Sequence, residues 1–125
     1  MSNLMADVQT LPQGLTQQAA DLFRAISDPT RLKLLYVVAG RGEEHICSHE
    51  LAEALRLAPP TVTHHMKRLV AVGLVHRHQH GKWAHYHVDP RRFAQLNALI
   101  RSLAVPCRFL EDAGHRVEEL EHIQP

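Results

Sequence analysis

A chain of 125 residues with 45% apolar content can bury one small core, and this predicts a single domain. No apolar run is long enough to span a bilayer, no signal peptide opens the chain, and Cys47 and Cys107, sixty residues apart, do not form a secreted disulfide framework. The expected setting is therefore the cytoplasm, with reduced thiols and no membrane contact. The net charge is only +1, but it is unevenly spread. Between Thr61 and Arg92 the cations Lys67, Arg68, Arg77, Lys82, Arg91 and Arg92 face the single acid Asp89, whereas from Cys107 onward acids dominate. The basic half is the expected nucleic-acid footprint.

In chain order, residues 1–14 are polar, contain Pro12 and Gly14, and are expected to be irregular. Leu15, Ala19, Leu22, Phe23 and Ile26 recur at helical spacing and predict a first helix ending near Ser27. Asp28 should cap a second helix with Pro29 in its first position. That helix is expected to bury Leu32, Leu35 and one of Val37 and Val38 before Gly40 and Gly42 end it. His45-Ile46-Cys47 suits a short strand.

Glu50–Gly73 holds two short helical sets of apolar residues: Leu51, Ala52 and Leu55, then Val62, Met66, Leu69 and Val70. The connector, Arg56-Leu57-Ala58 with Pro59 and Pro60, is long enough only for a tight corner, which gives a helix-turn-helix. Thr61, Thr63, His64, Lys67 and Arg68 fall on or near the polar side of the second helix, where they can donate to phosphates or base edges in a DNA major groove. Gly73 then stops the helix. Residues 74–80 and 83–88 alternate with period two around Gly81-Lys82, so a β-hairpin follows, with Arg77 and Lys82 available to flanking phosphates. A tight turn at Gly81-Lys82 would pair His80 with Trp83, His78 with His85 and His76 with His87, so that His76, His78, His85 and His87 share one face. Such a face can be a solvated surface, a pH-dependent charge switch near phosphate, or a metal site. Pro90 opens a last helix with Phe93, Leu96, Ile100 and Leu103 on one stripe, until Pro106 interrupts it.

The fold class is thus mainly α with a small β-hairpin, a winged helix-turn-helix over residues 15–105, with residues 106–125 as a helical extension. The motifs Asp28-Pro29-Thr30-Arg31-Leu32, Glu50-Leu51-Ala52, Pro60-Thr61-Val62-Thr63-His64-His65-Met66, Gly73-Leu74-Val75 and Gly81-Lys82-Trp83-Ala84-His85-Tyr86, in this order, resemble the ArsR/SmtB winged-helix repressors. The resemblance covers roughly Leu15 to Leu103. It implies a homodimer formed through the first and last helices, a double-stranded DNA operator as partner, and release of that operator when a metal ion or other inducer binds. One departure bears on the DNA helix: Ala58 stands where most members place a capping serine, which forfeits a bond usually worth about 1 kcal/mol. Pro60 in the first turn offsets part of that loss, because it has no amide hydrogen to satisfy.

The resemblance also directs attention to His45-Ile46-Cys47-Ser48-His49. Aligned on Glu50-Leu51, Cys47 takes the first thiol position of the metal-sensing relatives and His49 the second. With His45 they form a mixed nitrogen and sulfur set suited to Zn, Ni, Co or Cu, and Cys107 is a further donor at the end of the last helix. Trivalent arsenic would need three thiolates, and one chain has two. The plainer alternative makes Cys47 a half-buried apolar residue, Ser48 a helix cap and both histidines solvated. A thiol-redox switch using Cys47 and Cys107 is the rival mode of sensing, and a module that binds no DNA is the rival class. An enzyme is not supported, since no nucleophile–base arrangement and no helical His-Glu-x-x-His is present.

Overall fold

The computed structural model describes residues 8 and 10–104. The expected C-terminal extension, and Cys107 within it, lie outside the described residues. The elements are α1 (Gln13–Ile26), α2 (Pro29–Arg41), β1 (Ile46–Cys47), α3 (Ser48–Leu55), α4 (Pro59–Ala71), β2 (Val75–His80), β3 (Trp83–Val88) and α5 (Pro90–Ala104). The strands form one antiparallel sheet in the order β1-β3-β2.

Each boundary has a local cause. Helix α1 starts at Gln13, two residues before the expected Leu15, because the Pro12 carbonyl accepts both the amide and the hydroxyl of Thr16 at 3.0 Å. Asp28 caps α2 by accepting the Arg31 amide at 3.0 Å, with Pro29 in the first turn. Gly40 remains helical; α2 stops at Gly42, whose φ of 61° suits glycine. At the end of α4, Gly73 has φ 79°, and the Leu69 and Val70 carbonyls accept the amides of Leu74 and Gly73, a Schellman closure. Arg56, between α3 and α4, adopts the same left-handed conformation at φ 54° without being glycine.

The core lies where α2, α3 and α4 meet the inner face of the sheet. Leu34, Val38, Leu51, Val62, Met66, Leu69 and Leu74 are fully buried, and Ile46, Val75 and Tyr86 close it from the sheet side. The expected inward stripe of α2 is corrected here. Leu32 is 50% exposed, while Leu34, Leu35 and Val38 point inward. The terminal helices divide their apolar residues in two. Ala19, Leu22, Ala25, Leu96 and Leu99 face the domain, whereas Leu15, Phe23, Ile100 and Leu103 face outward.

Candidate nucleic-acid interface and histidine cluster

Helix α4 separates two media. Val62, Met66 and Leu69 hold one side in the core, which leaves Thr63, His64, Lys67 and Arg68 exposed, with Thr61 half-buried at the start. As the sequence led one to expect, Ala58 supplies no side-chain cap, and Pro59 opens the helix. The Thr63 hydroxyl donates back to the Pro59 carbonyl at 3.1 Å, so its hydrogen is engaged within the first turn.

His64 and His65 part company despite being adjacent. His65 Nδ1 lies 3.4 Å from the Arg31 guanidinium and 3.9 Å from the Asp28 carboxylate, which ties α4 to the start of α2. The Arg31 amide bonded to Asp28 holds that carboxyl below the usual carboxylate range. Arg31 also donates to the Ala25 carbonyl at 2.7 Å, so a single guanidinium joins α1, α2 and α4. His64 instead lines a cleft of about 490 Å³ with Arg24, Arg31, Lys67 and Arg68, against the single acid Asp21. An anion entering this cleft meets a strongly positive surface.

The hairpin has the register that its two-residue turn dictates: His76 opposite His87, His78 opposite His85 and His80 opposite Trp83. Gly81 makes the turn at φ 59°. Lys82 is exposed at the tip. Arg77 is held at 2.6 Å by Gln79, which in turn donates to the Gly81 carbonyl.

The donors named from sequence do not gather around Cys47. The Cys47 sulfur accepts the Glu50 amide at 3.4 Å while the Glu50 carboxylate accepts the Cys47 amide at 3.2 Å, a capping box that opens α3. That amide and the Arg41 guanidinium, 2.7 Å away, lower the Glu50 pKa. Ser48, a candidate cap in the sequence, is the first helical residue instead. His49 Nε2 lies 3.1 Å from Glu53, and its ring rests 5.1 Å from Trp83.

His45 joins the hairpin. β1 pairs with β3 so that Cys47 faces His85 and Ile46 faces Tyr86; one residue further back, His45 reaches His87. Their rings stack at 4.4 Å, His78 stacks on His87 at 4.9 Å, and His45 stacks on His78 at 5.3 Å. The ligand nitrogens of His45, His78 and His87 all lie within 4.8 Å of one another. His76 flanks the group, 5.2 Å from His87, with its Nε2 2.8 Å from the Asp89 carboxylate, which that contact holds at a lowered pKa. Burial, reinforced by the facing His45, His78 and His76, pushes the His87 pKa below the ordinary imidazole value, while Asp89 acts in the opposite sense. The His87 Nδ1 is buried without a hydrogen-bond partner. Such an orphan typically costs about 1–3 kcal/mol. In the sequence His45 groups with Cys47, and the hairpin histidines stand apart from it. The alternation of His45 with Ile46 was the signal that could have joined them.

Among the described residues, no helix is long and apolar enough to cross a membrane. The profile of the family described as "Bacterial regulatory protein, arsR family" matches residues 28–77, from the Asp28 cap into β2. The chain is 31% identical over 87 residues to an uncharacterized HTH-type transcriptional regulator of Methanocaldococcus jannaschii, a match that covers 70% of this chain and 96% of that one. It is 42% identical over 85 residues to a probable mercury resistance operon repressor of Streptomyces lividans, covering 68% of this chain and 66% of the relative. In structure it resembles the homodimeric winged helix-turn-helix DNA-binding domain of a possible ArsR-family regulator of Mycobacterium bovis. The TM-score is 0.59 at 21% identity, over 80% of this chain and 93% of that one. The capped second helix, the helix-turn-helix and the wing, in this order and with these relatives, make the chain a member of the arsR family of bacterial regulatory proteins, a winged helix-turn-helix transcription regulator.

Proposed function

We propose that the protein is a homodimeric, cytoplasmic transcriptional repressor that binds a double-stranded operator and releases it when a metal ion binds. It is a regulator and not an enzyme. The observation that carries this reading is the exposed basic face of α4, continuous with the cleft lined by Arg24 and Arg31. In this reading Thr61, Thr63, His64, Lys67 and Arg68 enter the major groove, while Arg77 and Lys82 meet flanking phosphates. Thr63 contributes as an acceptor and through its methyl group, given its bond to Pro59. Release by a metal is supported by the Streptomyces lividans relative, named as a mercury resistance operon repressor. Of the donors expected at the head of α3, Cys47 and His49 are engaged with Glu50 and Glu53, Cys107 lies outside the described residues, and His45 stands with imidazoles that suit Zn, Ni, Co or Cu.

The dimer reading rests on Leu15, Phe23, Ile100 and Leu103, which leave apolar surface uncovered on the two terminal helices. The Mycobacterium bovis neighbour is described as homodimeric.

The test uses a fluorescein-labelled duplex selected from a random library by the purified protein. Lys67→Ala with Arg68→Ala is expected to weaken binding roughly tenfold or more and to flatten the dependence of log K on log salt by up to about 1.8, the limit if both cations neutralise phosphates as they enter the groove. Unchanged affinity and slope would remove α4 from the interface and end this reading.

A further inference from the structure

We infer that His45, His78 and His87 form a three-imidazole site for one borderline divalent cation, Zn(II) being the ion it fits best. The site deepens the metal-inducer reading above and depends on that reading only for its effect on DNA.

Two strands and the residue just before a third contribute one ligand each. His45 precedes β1, His78 lies on β2, and His87 lies on the central strand β3, where it stacks against both of the others. Their ligand nitrogens already lie within 4.8 Å of one another. A tetrahedral ion with bonds of about 2.0–2.1 Å needs nitrogens about 3.3 Å apart. His45 and His78 are exposed and can close that gap by side-chain rotation, while the half-buried His87 forms the fixed point.

Stacked neutral imidazoles on a solvated strand face require no metal, but they do not explain the buried, unpartnered Nδ1 of His87. Coordination would satisfy it. Three neutral nitrogen donors leave a fourth position to water and select against two classes of ion. Calcium and magnesium require oxygen ligands, while the softest cations prefer thiolates. The Cys47 sulfur, engaged with the Glu50 amide, is not among the donors. At the margin of the cluster the Asp89 carboxylate, bonded to His76, supplies negative charge against the incoming cation.

An ion held here would tie β1, β2 and β3 together and so fix the wing relative to the helix that follows β1. Isothermal titration of the tag-free full chain with Zn(II) is expected to give one ion per chain. His87→Gln should lower affinity by at least about 100-fold, beyond the 10–100-fold typical of losing a supporting group around a metal site. His78→Gln and His45→Gln, both at exposed positions, should also lower it markedly without touching the core. Cys47→Ser and His49→Gln should leave it unchanged, and Co(II) loaded into the wild type should give a tetrahedral visible spectrum without a thiolate charge-transfer band. Failure of the wild type to bind Zn(II) would overturn the site. So would binding that survives His78→Gln and His45→Gln, or that is lost with Cys47→Ser. Binding with the expected histidine dependence but no change in duplex affinity would uphold the site and overturn the metal-inducer reading.

Discussion

Cys47 combines roles that its sequence context separates. It is the last residue of β1 and, through its sulfur, the N-cap of α3. Its pairing with Glu50 is a sulfur version of the capping box usually built from serine or threonine. Cys47→Ala is therefore expected to destabilise the fold by about 1 kcal/mol, while Cys47→Ser, which restores a stronger acceptor, holds or raises stability. Urea melts of the two variants check this; equal midpoints would mean that the sulfur contributes no cap. The capping role was hidden in the sequence because Ser48, one position later, is the better cap by type. His45 was hidden differently. Its partners stand more than thirty residues away in the chain, and they become visible only once β1 is laid against β3.

At the scale of elements, α4 enters its first turn without a side-chain cap. Ala58→Ser should supply the missing acceptor and stabilise the protein by about 0.5–1 kcal/mol. A thermal melt with no upward shift would show that Pro59 and Pro60 already meet the needs of that turn. The uncapped start, the helix pair and the hairpin register were legible in the sequence, each for a local reason. Two residues at a turn fix strand pairing, and a proline marks a helix start. The phase of α2 was less legible. Leu32, Leu34, Leu35, Tyr36, Val37 and Val38 place apolar side chains all around that helix, so periodicity alone could not choose between Leu32 and Leu34. Packing against α4 and the sheet made the choice. A related ambiguity affects α5, whose expected stripe divides into inward Phe93 and Leu96, joined there by Leu99, and outward Ile100 and Leu103.

For the whole molecule, that division yields a prediction. Ile100 is 47% exposed and Leu103 69% exposed, so replacing both with glutamate should leave the folded chain intact. If these side chains meet a second copy, Ile100→Glu with Leu103→Glu should convert a dimer to a monomer in sedimentation velocity and sharply weaken binding to a two-half-site duplex. A variant that stays dimeric would move the interface to another face, with exposed Leu32 and Tyr36 on α2 the first place to look.

The joint between sheet and helix has a mechanical consequence. β1 ends at Cys47 and α3 begins at Ser48, so no hinge residue lies between them, and three residues, Arg56, Leu57 and Ala58, then carry the chain from α3 to α4. Leu51 and Ala52 of α3 then pack in one core with Val62, Met66 and Leu69 of α4. Val75 and Tyr86 of the hairpin belong to that same core, so α4 and the wing share one packed support, and a load placed on the sheet bears on the helix as well.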